Sequence, residues 1–285
     1  KKLQLEYYHG FYRALQEQHQ VILIHDLFHI DYSQDVDLVI FGLAVSKYGY
    51  EQGFYQTYAE DLARLTIPKI CFVLCVEHME DKIRWMNVHG ITHVFSEYYR
   101  IQEFFQKSTI QSQRILFATS PEPVVEQNKT ISIGFMGALH RPAQFGNTLD
   151  IRAKAKQLFK HIPHSYFSDK RAPLHEYYKT LAKSKIWLNT TSIPFGTIAP
   201  RFYDCAKSKT LILCEEWPDT YNGIFQDGCN CVMFKPDMSN FLEKIHYYLS
   251  REEERNRIIE QAYQDVMECH LWTHRVRQVL DSVFS

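Results

Sequence analysis

Hydrophobic residues follow two alternating patterns along the chain. One pattern is a short run in which nearly every position is apolar, such as 69–76 and 131–136. The other is a longer stretch with apolar residues at helical spacing, such as 77–89, which ends at Gly90. The first pattern predicts strands buried on both faces, and the second predicts amphipathic helices. A parallel sheet covered by helices is therefore expected.

The two patterns alternate in both halves of the chain. The predicted strands are 21–25, 38–43, 69–76, 92–95, 114–118, 131–136, 164–167, 186–189, 210–214 and 231–234. The predicted helices are 3–18, 51–65, 77–89, 97–107, 149–161, 174–183, 200–207, 240–249 and a long charged tract over 251–283. This order predicts the α/β class, with two doubly wound, Rossmann-like domains.

A segment with two prolines and no periodicity, 120–130, separates the two halves and is interpreted as a linker. The sequence predicts an N-terminal domain over 1–122, a second domain over 123–265, and a C-terminal helix over 266–285 that packs back on the first domain. Ligands of such sheets bind at the carboxyl ends of the strands. The two domains are expected to face each other across a cleft, which is the expected binding site.

The composition of the chain disfavours some classes of binding partner. The 285 residues include 32 Lys and Arg and 33 Asp and Glu, so the formal net charge is −1. A near-neutral chain has no bulk field that attracts nucleic acid. Because no apolar run approaches the ~18–20 residues that span a bilayer, no transmembrane segment is expected. The 7 cysteines, an odd number without framework spacing, predict reduced thiols and a cytoplasmic location.

An apolar strand that runs into a glycine is the first candidate for chemistry. Gly137 and Ala138 follow the run 131–136, and His140 and Arg141 come shortly after. A glycine at the carboxyl end of a strand lets a phosphate approach the backbone, and an arginine adds positive charge. The alternative interpretation is a plain turn after a strand.

A charged pair at the start of a predicted helix is the second candidate. Pro200 suits the first turn, and Arg201 and Asp204 share one face because they are three positions apart. A helix N-terminus favours an anion, so Arg201 can clamp a phosphate while Asp204 accepts hydrogen bonds from sugar hydroxyls. The alternative is a solvated ion pair.

Acidic and aromatic residues follow the predicted strand 210–214. Glu215 and Glu216 come directly after it, and Trp217 and Tyr221 lie in the next segment. Trp217 is placed to stack on a nucleotide base, although a tryptophan in a loop is more often a packing residue.

Two strand ends in the first half carry candidate general bases. Glu77 and His78 follow the run 69–76, and Asp26 follows the run 21–25. An acid or a histidine at a strand end that faces a cleft is suited to proton abstraction. The alternative for Glu77 and His78 is a helix-capping acid beside a surface histidine. Asp35 and Asp37 have Asp-x-Asp metal spacing, but they directly precede a strand, so no metal site is expected there.

Several motifs that would indicate other chemistry are missing. The sequence has no Gly-x-Ser-x-Gly elbow, no Walker loop and no complete Gly-x-Gly-x-x-Gly. Cys229 and Cys231 have no partner pair at zinc spacing. Hydrolase, ATPase, classical dehydrogenase and zinc-site interpretations are therefore disfavoured.

Short motifs in the second half occur in a recognisable order. They are Phe135-Met-Gly137, Arg152 in the next helix, Tyr178 to Asn189, Pro200-Arg-Phe-Tyr-Asp204, Asp227 to Val232, and Trp272-Thr-His-Arg275. In this order they resemble the C-terminal domain of GT-B glycosyltransferases, most of all the group-1-like transferases related to spore maturation protein CgeB. That family usually has Glu where this chain has Asp204. The first half resembles the family only in its βα order and in the acid-histidine pair Glu77-His78.

The resemblance implies a metal-independent glycosyltransferase of GT-B fold, either a hexosyl- or a pentosyltransferase. It would move a sugar from a nucleotide-diphosphate-sugar donor, with a UDP-sugar favoured, to a hydroxyl of a glycan or other acceptor held by the first domain. No cofactor beyond the donor is expected. The alternatives are a non-catalytic nucleotide-sugar or glycan-binding module and a nucleotide-sugar epimerase.

The resemblance also implies roles for individual residues. Arg201 would neutralise the diphosphate and stabilise the leaving nucleotide, and Glu77, His78 or Asp26 would supply a base if the sugar is transferred with inversion. The residues expected to bind the donor are Gly137, Ala138, His140, Arg141, Arg201, Asp204, Glu215, Glu216, Trp217 and Tyr221.

Overall fold

The computed structural model of the chain describes 9–22, 35–41, 62, 64–74, 76–122, 124–125, 127–139, 148–170, 172–190, 197–216 and 223–285, apart from the side chains of 148–150. The chain divides into two compact units. Unit 1 comprises Lys1–Leu116 and Trp272–Ser285, and unit 2 comprises Phe117–Leu271. The chain therefore leaves unit 1, forms all of unit 2, and then returns to unit 1.

The described elements alternate between strands and helices in both units. The strands are β1 Val39–Phe41, β2 Lys69–Val73, β3 His93–Ser96, β4 Gln111–Arg114, β5 Ile131–Met136, β6 Tyr166–Ser168, β7 Ser184–Asn189, β8 Leu211–Glu215 and β9 Val232–Phe234. The helices are α1 His9–Gln16, α2 Met79–Val88, α3 Ile101–Phe105, α4 Thr148–Leu158, α5 Leu174–Ala182, α6 Arg201–Lys207, α7 Phe241–Ser250, α8 Glu252–Cys269 and α9 Trp272–Phe284. A 3₁₀ turn, Phe159–His161, follows α4. None of these helices has both the length and the apolar character needed to cross a bilayer.

The sheet of unit 1 is parallel, with the strands in the order β1-β2-β3-β4. Each connection advances in the same direction, so right-handed crossovers place α2 and α3 on one face of the sheet. Val73, Met86, Val94 and Phe105 belong to the buried cluster on that face. Burial of β2 and β3 at every position explains their continuous apolar sequences.

Helices α1 and α9 cover the other face of this sheet. The ring of Phe11 in α1 meets the ring of Phe72 in β2 edge to face, with their centroids 5.0 Å apart. Gly10 lets the two helices approach closely, because a Cβ there would lie 2.1 Å from the indole of Trp272. The Nε of Arg275 donates to the carbonyl of Leu116 at 3.0 Å, which fixes α9 to the chain beyond β4.

Helix α2 ends as the glycine predicts. Gly90 has a φ of 66°, in the left-handed region that side chains avoid. The amide of Gly90 donates to the carbonyl of Asn87, and the amide of Ile91 donates to that of Met86. This Schellman pattern satisfies the last carbonyls of the helix and turns the chain into β3.

Several sequence predictions need correction. The helix predicted over 97–107 is limited to Ile101–Phe105, and the strand predicted over 69–76 ends at Val73. The strand predicted over 114–118 lies earlier, at Gln111–Arg114, because it is a polar strand at the end of the sheet rather than an apolar central one. The helical tract predicted over 251–283 is divided into α8 and α9. At the division, Leu271 forms a β-bridge with Thr119, whose amide donates to the carbonyl of His270. The chain passes from unit 2 to unit 1 at this point.

Parts of other predictions lie outside the described residues. Val21 and Ile22 belong to no strand, and the rest of the strand predicted over 21–25 is not among the described residues. Most of the helix predicted over 51–65 also lies outside them, although Leu62 and Arg64 are helical.

The sheet of unit 2 is also parallel, in the order β6-β5-β7-β8-β9. Its core includes Phe135, Leu188, Leu213, Phe234 and Ile245, all fully buried or nearly so. The predicted strands and helices of this half agree with the observed ones to within a few residues up to α7. The structure confirms the predicted α/β class with two parallel sheets.

A glycine inside β5 makes room for the largest buried side chain of unit 2. A Cβ on Gly134 would lie 2.4 Å from the ring of Trp187, which is fully buried in the neighbouring strand β7. The ring of Tyr177 packs edge to face against the same indole. Gly134 therefore has a packing role.

Candidate active site

The sheet of unit 2 has a topological switch point between β5 and β7. The chain goes from β5 to β6 on one side and then crosses back to β7 on the other side. Right-handed crossovers in opposite directions place α4 and α5 on opposite faces of the sheet. A crevice therefore opens at the carboxyl ends of β5 and β7, where ligands of such sheets bind.

Gly137 and Arg201 meet at this crevice. Gly137 follows the last residue of β5, and Arg201 is the first residue of α6. The guanidinium Nη1 of Arg201 lies 3.3 Å from the position that a Cβ on Gly137 would occupy. The ring of Phe135 lies 3.0 Å from the same point. The absence of a side chain at Gly137 therefore lets a cationic group lie against the backbone.

The backbone of Gly137 is itself part of the sheet. Its amide donates to the carbonyl of Ser168 at 3.0 Å, which extends the pairing of β5 with β6. This amide is therefore engaged within the protein, and the next amide along the chain is that of Ala138.

Arg152 connects the ends of the two strands that flank the crevice. This arginine of α4 is 5% exposed. Its Nη1 donates to the carbonyl of Ala138 at 2.9 Å, and its Nε donates to the hydroxyl of Thr190 at 2.8 Å. Its guanidinium also lies over the ring of Phe135, 5.6 Å from the centroid. Because the carbonyl and amide of one trans peptide point in opposite directions, Arg152 directs the amide of Leu139 away from itself.

Asp204 lies one turn after Arg201 and is engaged by a tyrosine. The hydroxyl of Tyr178 in α5 donates to Oδ1 of Asp204 at 2.8 Å. Burial raises the pKa of Asp204 to about 6, although Tyr178, Lys207 and Arg201 all act in the opposite direction. Burial and the carboxylate of Asp204 also raise the pKa of Tyr177, whose hydroxyl is enclosed beside this group.

The two glutamates after β8 differ in exposure. Glu215 is the last residue of β8, at the same end of the sheet as Gly137, and it is fully buried. Glu216 is exposed, and its amide donates to the carbonyl of Phe234 at 2.8 Å, continuing the pairing with β9. Of these two glutamates, therefore, only Glu215 has its side chain in the interior of unit 2.

The candidate bases of the first half belong to unit 1. Glu77 and His78 form the turn between β2 and α2, a few residues beyond the observed end of β2 at Val73 rather than directly after it as the sequence predicts. His78 is exposed and has a φ of 54°, a left-handed conformation that is uncommon for a residue with a side chain. Their assignment as bases stays a prediction.

The remaining predicted site residues lie outside the described residues. They are Asp26, His140, Arg141, Trp217 and Tyr221. Asp35 and Asp37 are exposed and precede β1. In the described part of the chain, no group of three or more His, Cys, Asp or Glu side chains is arranged to hold a metal ion.

Sequence reasoning gave no role to two residues that the structure places at the crevice. Arg152 and Tyr178 appear in the motifs that carry the family resemblance, but no local pattern shows their partners. Arg152 reaches Thr190 and Ala138, which are distant along the chain. The sequence signal that could have identified Arg152 is an arginine on the buried side of a helix, because a buried guanidinium needs several hydrogen-bond acceptors.

Two parallel α/β sheets are the fold that this chain shares with glycosyltransferases of the GT-B class. Residues 150–281 match the model of the glycosyl transferase-like family. No curated protein matches the sequence. The finer resemblance to CgeB-related transferases stays a prediction.

Solved structures share this fold at low sequence identity. HepE from Anabaena in complex with UDP-glucose has a TM-score of 0.59 and 8% identity, over 86% of this chain and 79% of that one. Sucrose-phosphate synthase from Thermosynechococcus elongatus has a TM-score of 0.59 and 9% identity, over 90% of this chain and 74% of that one.

A third similar structure is considerably longer than this chain. TarM, known from S. aureus, has a TM-score of 0.54 and 8% identity, over 76% of this chain. The chain spans 55% of the length of TarM. The similarity to these structures concerns the fold.

Proposed function

We propose that the protein is a glycosyltransferase that uses a nucleotide-diphosphate-sugar, with a UDP-sugar favoured. The observation that carries the proposal is the position of the Arg201 guanidinium against Gly137 at the switch point of unit 2. The family match over 150–281 and the similarity to HepE, which was solved with UDP-glucose, support the same conclusion.

The crevice has the chemistry that a diphosphate needs. Arg201 offers a planar, permanently charged group suited to bidentate contact with phosphate oxygens. The amides of Ala138 and Leu139 follow the glycine, and Arg152 fixes the peptide between them. These groups would contact the two phosphates from one side.

The same groups would favour bond cleavage. When the bond between the sugar carbon and the diphosphate oxygen breaks, negative charge builds up on the departing nucleoside diphosphate. A guanidinium and amides that are already oriented stabilise this charge without reorganising, and such contributions are typically the largest in group transfer. We assign Arg201 this role, and Arg152 the role of a positioning residue that acts through the Ala138 carbonyl.

The acceptor side of the reaction belongs, in this proposal, to unit 1. A glycan or other hydroxyl-bearing acceptor would bind near the ends of its strands, and Glu77 or His78 would accept the proton if the sugar is transferred with inversion. The proposal requires no metal ion, because Arg201 and the amides supply the positive charge. A cytoplasmic location, where nucleotide sugars are available, is part of the proposal.

The direct test measures donor binding and turnover with UDP-sugars and GDP-sugars. We expect a UDP-sugar to bind and to be transferred or slowly hydrolysed by the native chain. The Arg201→Ala variant should weaken UDP affinity at least about tenfold, equivalent to about 1.4 kcal/mol. Arg201→Lys should recover part of this loss, because it keeps the charge but loses the planar geometry.

A matched control is Arg84→Ala, which removes an exposed arginine of unit 1 that pairs with Asp81. Its donor affinity should equal that of the native chain. Binding without any transfer or hydrolysis would support the binding-module alternative. Interconversion of the donor sugar without an acceptor would support the epimerase alternative. Equal donor affinity in the native chain and in Arg201→Ala would contradict the assignment of Arg201.

A further inference from the structure

Unit 1 contains a groove that the proposed transfer reaction does not use. Its volume is about 740 Å³, within the range of ligand-binding clefts. Strands β3 and β4 and helices α3 and α9 contribute its lining. His93 and Gln111, which pair in register, open β3 and β4, so the groove begins at the amino ends of these strands. Glu77 and His78 lie beyond the carboxyl end of β2 and do not line it.

Half of the residues that line the groove have uncharged polar side chains. Side chains with amide or hydroxyl groups come from Gln102, Gln111, Ser112, Gln113, Gln278 and Ser282. Val94 and Phe95 supply the apolar part of the lining. Each glutamine amide both donates and accepts hydrogen bonds. Neighbouring hydroxyls of a sugar do the same, so a row of amides complements a row of hydroxyls.

Helix α9 contributes one continuous polar stripe to this groove. His274, Arg277, Gln278 and Asp281 are spaced as i, i+3, i+4 and i+7, so they lie on one side of the helix. The buried stripe of the same helix includes Trp272, Val276 and Val279. The helix therefore holds the sheet with one side and presents hydrogen-bonding groups to the groove with the other.

The lining has two permanently charged side chains, Arg277 and Asp281, which are of opposite sign, and two histidines, His93 and His274. Burial lowers the pKa of His93, whose ring also bonds the Gln111 side chain and the Ser282 backbone, so this ring is neutral at pH 7. A groove without a cluster of arginine and lysine does not favour phosphate or nucleic acid. A neutral ligand is the better match.

One lining residue, Gln113, has a buried hydrogen-bond acceptor without a donor in the described part of the chain. Oε1 of Gln113 is shielded from solvent, and within the described residues no hydrogen-bond donor reaches it. A buried acceptor without a partner costs about 1–3 kcal/mol. Rotation of this amide toward the groove would let a ligand hydroxyl donate to it and would recover that cost. Gln278 already donates to the carbonyl of Arg114 at 3.1 Å, so its amide is held in place beside this position.

We infer that this groove is a carbohydrate-binding subsite of unit 1 that holds a neutral oligosaccharide segment, separate from the crevice of Arg201. The inference rests on the lining and geometry of the groove and does not require that unit 2 bind a donor. If the protein is a glycosyltransferase, such a subsite would retain a growing or branched acceptor between transfers.

The test titrates the full chain with neutral oligosaccharides in the absence of any nucleotide. Maltohexaose, cellohexaose and chitohexaose serve as probes, and calorimetry reports the dissociation constant. We expect at least one of them to bind. Gln113→Leu, which removes the enclosed acceptor and keeps a similar volume, should weaken this binding about tenfold. Arg277→Ala offers a second variant, on an exposed position of α9 that tolerates substitution.

The matched control is Gln264→Leu, which changes an exposed glutamine of α8 in unit 2. Its oligosaccharide affinity should be unchanged, and Arg201→Ala should also keep it, so that failure of the donor proposal does not affect this result. The inference is overturned if none of the three sugars binds, if Gln113→Leu binds as tightly as the native chain, or if UDP competes with the sugar. Binding of a neutral Gly-Ser peptide in place of every sugar would also overturn it.

Discussion

The guanidinium of Arg201 lies 3.3 Å from the point where a side chain at Gly137 would begin. Gly137 directly follows a strand and Arg201 starts a helix more than sixty positions later, so the contact depends on the topology of unit 2. A glycine is needed here for space and not for its backbone conformation, since Gly137 is not among the glycines with positive φ.

Gly137→Ala should weaken UDP affinity about tenfold while the protein remains folded. The new methyl group would stand 3.0 Å from the Phe135 ring and 3.3 Å from Arg201, so the guanidinium must shift by a few tenths of an ångström. Calorimetry with UDP measures the affinity, and urea unfolding measures the stability.

Gly228→Ala is the control for this variant. Gly228 has a φ of 71° and open space around it, so alanine there costs about 1 kcal/mol of backbone strain without crowding any side chain. Its UDP affinity should match that of the native chain. If Gly137→Ala bound UDP as tightly as the native chain, Gly137 would not be part of the donor site.

Arg152 and Thr190 should be energetically coupled. Arg152→Met leaves the Ala138 carbonyl and the Thr190 hydroxyl without their charged partner, and it should lower the free energy of unfolding by about 2–4 kcal/mol. Thr190→Val removes only one of the two bonds and should cost less. The double variant should show a coupling energy of about 1 kcal/mol, measured by urea unfolding.

A positioning role for Arg152 also predicts an effect on binding. Arg152→Lys keeps the charge and most of the stability but cannot reach both acceptors with a fixed fork. We expect it to weaken UDP affinity more than Thr190→Val does, because the Ala138 peptide loses its fixed orientation. Equal affinities in Arg152→Lys and the native chain would limit Arg152 to a structural role.

Gly134→Ala should be strongly destabilising. Its Cβ would lie 2.4 Å from the fully buried ring of Trp187, which is enclosed on all sides and cannot move away cheaply. We expect a loss of about 3 kcal/mol, as for other overpacked cores. Adding Trp187→Phe, which shortens the ring that clashes, should restore part of the stability in urea unfolding. A single Gly134→Ala variant as stable as the native protein would contradict this packing.

Asp204 should make stability depend on pH in a defined direction. Its pKa in the folded protein is about 6, above the ordinary value of 3.8, so the folded state keeps a proton that the unfolded state has released between these two values. The free energy of unfolding should therefore fall as pH rises through this window and level off above about pH 7.

Asp204→Asn removes this titration and can still accept the Tyr178 hydroxyl. The variant should match the native protein near pH 4 and exceed it by about 2 kcal/mol at pH 7, since each pKa unit corresponds to about 1.36 kcal/mol. Urea unfolding from pH 4 to 7.5 measures the difference. A stability difference that stays constant over this range would show that Asp204 does not titrate as described.

The sequence predicts unit 2 well because its strands are buried on both faces and its helices are amphipathic. It places β4 too late because Gln111–Arg114 is a polar strand with no apolar run to mark it. It also misses the break between α8 and α9, since neither glycine nor proline interrupts the tract. That break follows from the bridge between Leu271 and Thr119, a contact between distant segments that no local pattern encodes.

The candidate site also combines features that a local sequence pattern predicts with features that depend on contacts between distant segments. Gly137 and Arg201 are predictable because each has a local signature, a glycine after a strand and an arginine at a helix start. The contacts of Arg152 with Ala138 and of Tyr178 with Asp204 join different elements, so only the fold reveals them. The burial that raises the pKa of Asp204 is likewise a property of packing.

The return of the chain to unit 1 through α9 has a consequence for biosynthesis. The ribosome completes every residue of unit 2 before it makes the helix that packs against α1 and fixes the segment after β4. Unit 1 thus reverses the usual order in which the N-terminal region folds first during translation. A chain that ends at Leu271 should hold a complete second unit and a first unit that lacks α9, with part of an apolar sheet face open to chaperones.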